Sequence, residues 1–442
     1  MGELVGRGSS GVAAIVIGCA LLPQRVAAEP VELHANGSLS VGVSSATRST
    51  FQPDPLGAVP DDSIEQFFTE VRPTLLLQSV FRRRFQWGVG YQFAGQLTAD
   101  SAVLAYSNQA DVSLSVQPTQ RTNLLLNGAF AQGSQTQLVS LRPADAGQLT
   151  ISAPGNQSRL TATATEAFSW EVAATTLLQQ KAQLSATAPQ DALDQSSSDL
   201  IASLALEKAA RRTLGALEVR SRISRLRPIQ TQLAPFSSTS NAVLIRGSRD
   251  LSGRWNAQGS LGIEQVYTNH SNKPLALLPT ASATLNFYTL NTNFAGELSR
   301  GSLPNLQIGT IAIANSAMFR GTVTLDEREA RAVRFSVGGI HNEPIGDYDA
   351  LAAGTFDVVQ ADLSVSTSLN RRLLLFGRYG ASHQFSSDGM LPSTTMHVVL
   401  VGVSAQYSST GKPRRPMPQA GRRVDNVDGV QGEQPPAEEG AK

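Results

Sequence analysis

Between Val31 and Tyr407, apolar and polar residues alternate in stretches of about ten, each closed by a short turn or a longer loop, and the unit recurs about eighteen times. Side chains of a strand point to opposite faces with a period of two, so each stretch states what lies on either side of a sheet. Val31, Leu33, Ala35, Leu39, Val41 and Val43 share one face, and Glu32, His34, Asn36, Ser38 and Ser40 the other. The same alternation sets Trp255, Ala257, Leu261 and Ile263 against Asn256, Gln258, Ser260 and Glu264. It also sets Val359, Ala361, Leu363 and Val365 against Gln360, Asp362, Ser364 and Ser366. A soluble sandwich would hide its apolar face against a second sheet, and a soluble all-β or β-helical surface protein is the competing reading. A polar face this rich in Ser, Thr, Gln, Asn and Gly also suits a water-filled lumen.

The connections separate the two readings. Short turns fall near Phe81–Gln86, Pro118–Arg121, Glu171–Ala174, Glu207–Thr213, Arg249–Arg254, Asn291–Thr292, Asp326–Glu329 and Asn370–Arg372. Longer loops fall near Ala99–Ser107, Gly133–Gln157, Pro189–Ser198, Arg227–Ser240, Asn269–Thr280, His341–Thr355 and Gln384–Thr395. Such asymmetry predicts an all-β fold: a closed antiparallel transmembrane β-barrel of about 18 strands (roughly 16–20), with short periplasmic turns and longer extracellular loops. The barrel is expected in the bacterial outer membrane with the N- and C-termini both in the periplasm, which makes the strand count even. Trp87, Trp170 and Trp255 all sit beside short turns, where amphipathic rings form a membrane-interface girdle.

Outside the repeat, the chain changes character at both ends. An apolar run over Gly11–Leu22, then Val26-Ala27-Ala28, reads as a signal peptide over residues 1–28, too short for a spanning helix. The single cysteine, Cys19, lies within that run in a loose lipoprotein-like box, so cleavage after Ala28 leaves a barrel over 29–407 without cysteine. Residues 408–442 are rich in Pro, Gly and charge and read as a disordered periplasmic tail, a tether or a docking arm.

A formal net charge of +1 gives no reason to invoke nucleic acid. On the alternating register the lumen receives Arg220, Arg222, Arg246, Arg320, Arg334 and Arg378 with Lys181, and also Glu32, Asp111, Glu218, Glu264, Glu297 and Asp362. Rings of one sign would imply ion selectivity. This mixture predicts a wide polar conduit with a basic sector around Arg220–Arg246, serving either anionic cargo or salt bridges that brace the wall. Among aromatic residues, only Tyr288 clearly points inside. Glu166 and Gln180 violate the pattern, falling opposite each other on the apolar face about a turn centred near Ala173, as a bulge, a register error or an exterior protein contact. The short turns are basic, with Arg82, Arg83, Arg84, Arg121, Lys208, Arg211, Arg212, Arg254, Arg328, Arg371 and Arg372.

No nucleophile elbow, zinc helix or P-loop occurs, and neither enzyme activity, cofactor nor metal is expected. His341, Asp347, Asp349, His383 and Asp388 form the one cluster of interest, expected in loops at the outer mouth.

The final stretch, His397–Tyr407, carries Gly402, Ala405 and Tyr407 at the glycine and apolar-aromatic positions of an assembly signal. Here the chain resembles Gram-negative outer-membrane β-barrels, particularly the β-barrel porins of exopolysaccharide secretion systems. Leu400 departs from that signal, and the chain continues past it. The resemblance implies outer-membrane lipids, the barrel assembly machinery and periplasmic polysaccharide-export proteins as partners. It implies export of an exopolysaccharide; the alternatives are general diffusion of small polar solutes and a surface receptor or structural barrel.

Overall fold

The computed structural model describes residues 31–49, 62–79, 84–99, 104–135, 157–189, 196–227, 236–268, 271–305, 310–325, 331–345, 356–370, 372–386 and 393–409. The segment read as a signal peptide, nearly all of the tail, and Arg82, Arg83, Arg328, Asp347, Asp349, Arg371 and Asp388 lie outside these residues.

Eighteen strands follow one another: β1 (Val31–Ser49), β2 (Asp62–Ser79), β3 (Phe85–Thr98), β4 (Leu104–Thr119), β5 (Thr122–Gln135), β6 (Gln157–Ala173), β7 (Thr176–Pro189), β8 (Ser196–Ala210) and β9 (Thr213–Arg227). The ring continues with β10 (Phe236–Asp250), β11 (Trp255–Thr268), β12 (Ser271–Tyr288), β13 (Thr292–Asn305), β14 (Thr310–Thr324), β15 (Arg331–Pro344), β16 (Phe356–Ser368), β17 (Leu373–Ser386) and β18 (Ser393–Ser408). Each pairs antiparallel with its neighbours in sequence. β1 closes the ring on β18, from His34↔Ser408 to Ser49↔Ser393. Closure gives every strand a partner on both sides, which suits a sheet in hydrocarbon, where each unpaired backbone group costs several kcal/mol. The turns after β4, β6 and β8 occupy only residues 120–121, 174–175 and 211–212, whereas β5 and β6 are separated by residues 136–156 at the opposite rim. Both ends of the ring lie at the short-turn rim, where the backbone of Ser409 donates to Leu33.

The exterior is apolar. Val41 is 59% exposed, Leu261 67% and Ile245 69%, exposures that a soluble protein would not leave on a continuous face. On β11 to β15 the register lines up Trp255, Phe287, Phe294, Gly321 and Phe335 in one row. Trp255 meets Phe287 at 4.7 Å, and Phe294, Phe319 and Phe335 lie 5.7–6.1 Å apart around the bare Gly321. A Cβ at Gly321 would come within 2.5 Å of Phe335, so the glycine is what lets the rings close over that position.

Three expectations fail here. Asn269–Thr280 is not a long loop: β12 begins at Ser271 and pairs with β11 down to Thr268↔Ser271. The misreading came from Pro274 and Pro279. They are tolerated because β12 pairs with β13 only between Ala281 and Tyr288, leaving the proline stretch a single ladder to satisfy. Glu166 does not face Gln180. The turn is centred one residue later than expected, so Glu166 pairs with Ala182 and Gln180 with Phe168. Both nonetheless stay on the outward face, and the register shift lies further down, between Glu171 and Ala173. Finally, His341 and His383 are not in loops but within β15 and β17, on the outward face, bonded to Asp357 at 2.6 Å and Thr395 at 2.7 Å.

Candidate functional site

Alternation places one residue in two of every strand on the inner wall. The register puts Arg220, Arg222, Arg246, Glu218, Glu264, Glu297, Arg320, Arg334, Asp362 and Arg378 on that inward face, with Lys181 and Asp111. Trp87, Trp170 and Trp255 face outward near the short-turn rim, as do Ala405 and Tyr407 near the end of β18. Gly402 faces inward beneath Phe376, and a Cβ there would meet Leu39 O at 2.5 Å and Phe376 Cζ at 2.7 Å. Its bareness thus lets the closing strands approach. Phe68 lies over Gly42 on the adjacent strand in the same way. Tyr288 is therefore joined inside by Phe68 and Phe376, which the sequence reading overlooked because neither stands in a clean alternation.

Most of the inward arginines are neutralised where they stand. Arg246 reaches Glu207 at 2.9 Å and Glu218 at 2.7 Å, and Gln179 donates to the other oxygen of Glu207 at 2.9 Å. This chain ties β7, β8, β9 and β10 together. One level away, Asp199, only 2% exposed, accepts from Arg222 at 2.9 Å and from the Ser224 hydroxyl at 2.5 Å. Elsewhere on the wall Arg320 pairs with Glu297, Arg378 with Asp362 and Arg72 with Glu70, each at 2.6 Å. Glu32 accepts from Gln78 at 2.9 Å and lies 3.2 Å from His34, and Asp111 accepts from Gln109 at 3.0 Å. A charge in a part-dry wall is tolerable only when paired and hydrogen-bonded, which is what these contacts provide.

Glu207, Asp199 and Gln179 were missed by the sequence reading. Glu207 had been assigned to a turn, yet it is a buried member of β8. Counting in twos along β8 puts Asp199, Ser203 and Glu207 on one face, a signal that was available.

Three inward cations escape this pairing. Lys181 on β7 and Arg220 on β9 flank Ser203 in a single inward row, and neither forms an ion pair among the described residues. Two strand spacings separate them, about 10 Å. Arg334 is likewise exposed and unpaired among the described residues.

The inner wall is not polar throughout. On the long-loop half of β10 to β16 the inward positions are shared between Leu244, Val266, Leu278, Ile340 and Val358 and polar residues such as Ser240, Thr280 and Asn342, all shielded from solvent. Glu264 is buried among the first three and accepts the backbone N–H of Ser302 at 3.2 Å. Against the expectation of a wide polar conduit, this part of the wall is partly apolar.

A closed antiparallel ring with an apolar exterior and charged interior defines a membrane-spanning β-barrel. No protein-family model matches the chain, and no curated protein matches its sequence. Among solved structures, it is similar to the iron transporter FrpB of Neisseria meningitidis, at 10% identity over 84% of this chain and 81% of that one, with TM-score 0.45. OccK2 of Pseudomonas aeruginosa aligns at 13% identity over 85% and 98% of the two chains, TM-score 0.43. The outer membrane protein OpdK of the same organism aligns at 9% identity over 84% and 99%, TM-score 0.41.

Proposed function

We propose that this barrel is a non-enzymatic aqueous conduit of the bacterial outer membrane, passing small polar solutes by diffusion, with the short-turn rim and both barrel ends in the periplasm. The observation that carries the reading is a charged, largely polar inner wall on a ring of 18 strands. Rings of about sixteen to eighteen strands enclose a water channel, whereas eight strands are filled by their own side chains. The unpaired row Lys181–Ser203–Arg220 gives the path a cationic side, favouring anionic solutes on β7 to β9.

Export of an acidic exopolysaccharide is the narrower reading. It would use the same row, with carboxylates of the chain passing along Lys181 and Arg220. Single-channel recording of the refolded protein in planar bilayers tests both. A stable conductance with anion preference supports the diffusion conduit. Block by acidic oligosaccharides at concentrations where neutral ones have no effect would move the assignment to glycan passage. A folded barrel that conducts nothing would refute an open conduit.

A further inference from the structure

On the outer face of β12 to β15, short side chains leave a groove of about 640 Å³, floored by Gly296, Ala317 and Gly339 and walled by Leu298, Phe319 and Val337. It lies between two features of the exterior. Towards the short turns is the aromatic row through Phe294 and Phe335; towards the long loops the register lines up Arg300, Asn315, His341 and Asp357. The same row is apolar before β13, through Leu261 and Ala281, and meets Phe385 after β16.

Arg300 is the distinctive member. The inward Arg72, Arg222, Arg246, Arg320 and Arg378 each rest on a carboxylate, but Arg300 points outward and donates to the neutral amide of Asn315 at 2.8 Å. Its charge is therefore uncompensated among the described residues, on a face where cations are costly unless something anionic meets them. His341 is held by Asp357 at 2.6 Å, which places the row's carboxylate three strands from Arg300, about 14 Å away. The adjacent outward acid, Glu343, is also on the His341 side, two strands from Arg300. The cationic end of the row thus stands over the groove and the acidic end beside it.

From this juxtaposition we infer a binding site for a phosphorylated glycolipid of the outer leaflet, with a phosphate on Arg300 and an acyl chain in the groove beneath. The inference rests on the outer-membrane orientation proposed above, since it is the long-loop leaflet that supplies such a lipid. Arg is suited to the task because its planar fork meets phosphate oxygens in pairs. The groove supplies apolar surface at the depth of the chains.

Native mass spectrometry of the full chain in detergent, titrated with lipid A, its dephosphorylated form or phosphatidylglycerol, tests the site. Wild type should retain lipid A in preference to the other two. Arg300→Gln should weaken retention about tenfold or more, to the level of the dephosphorylated lipid. Gly296→Leu, which fills the groove where a Cβ has Phe319 only at 4.0 Å, should weaken all three lipids alike. Heat-modifiability on a gel confirms that each variant is folded. Equal retention of dephosphorylated lipid A or of phosphatidylglycerol, or indifference to both substitutions, overturns the proposal; so does a protein dimer in place of bound lipid that Arg300→Gln dissociates. A barrel that conducts nothing yet reads the phosphate through Arg300 keeps this site and loses the conduit, and a conducting barrel that ignores the phosphate does the reverse.

Discussion

The wall of β7 to β9 and the long-loop half of β10 to β16 face the same lumen and are built differently. On the first, inward positions carry Gln179, Asp199, Glu207, Glu218 and Arg222, joined strand to strand by hydrogen bonds and ion pairs, with the unpaired Lys181 and Arg220 between them. On the second they carry Leu244, Val266, Leu278, Ile340 and Val358, with Val266 fully shielded. Two of the three unpaired inward cations, Lys181 and Arg220, stand on β7 to β9. A single ring of strands thus separates two tasks, bracing by ion pairs and closure by apolar packing.

The sharpest way to break this contrast is to place a charge in the apolar half. Val266→Asp buries a carboxylate with no described partner beside an already buried Glu264, a loss of about 3 kcal/mol or more if the site is dry. The expected outcome is a large fall in the urea midpoint of the barrel band on a gel. An unchanged midpoint with raised conductance would show that this half is wet and that the contrast is false.

On the charged side the largest effect belongs to Asp199→Ala. It leaves the guanidinium of Arg222 in a wall where its side chain is only 10% exposed, and removes the acceptor of Ser224. Breaking a buried pair from one side costs about 3–5 kcal/mol, so the barrel should survive with a clearly lowered midpoint. The double replacement Asp199→Ala with Arg222→Leu should recover part of that loss, because the guanidinium that Asp199 offsets is removed as well.

Glu207→Gln should do less. Arg246 keeps Glu218 at 2.7 Å, and a glutamine can still accept one hydrogen bond, so about 1–2 kcal/mol is expected in the same denaturation assay. A loss as large as that for Asp199→Ala would mean that Glu218 does not compensate Arg246.

How much of this was legible in the sequence depends on whether a strand has two unlike faces. Where it does, as in β1 and β11, alternation alone gave the strand and its inward residues. Where both faces are apolar it failed. Val243-Leu244-Ile245 on β10 and Val358-Val359 on β16 read as continuous runs, so nothing showed that Leu244 and Val358 point inward. Prolines misled in a second way: Pro279 suggested a loop because the absence of a partner ladder on one side of β12 cannot be seen in a sequence. Which charges meet was a third gap. The arginines of the wall could be placed by parity, but Arg246 finding both Glu207 and Glu218, and Arg220 finding neither, follows from strand stagger. A one-residue error in a turn changes every such pairing, as Glu166 and Ala182 demonstrate.

The smallest effect on stability carries the most information about function. Arg220→Gln removes a cation that braces nothing described, so the denaturation midpoint should move by no more than about 0.5 kcal/mol. Its row neighbours Ser203 and Ala242 lose no charged partner. If the solute path follows β7 to β9, however, the reversal potential in a salt gradient should shift towards cations, and further in the double variant with Lys181→Gln. Arg378→Gln is the control: it removes the same formal charge from the wall, but one already offset by Asp362 at 2.6 Å. Because it leaves that carboxylate uncompensated, a path spread evenly through the lumen would register it as strongly as Arg220→Gln. A shift confined to Arg220 and Lys181 would place permeating ions along β7 to β9.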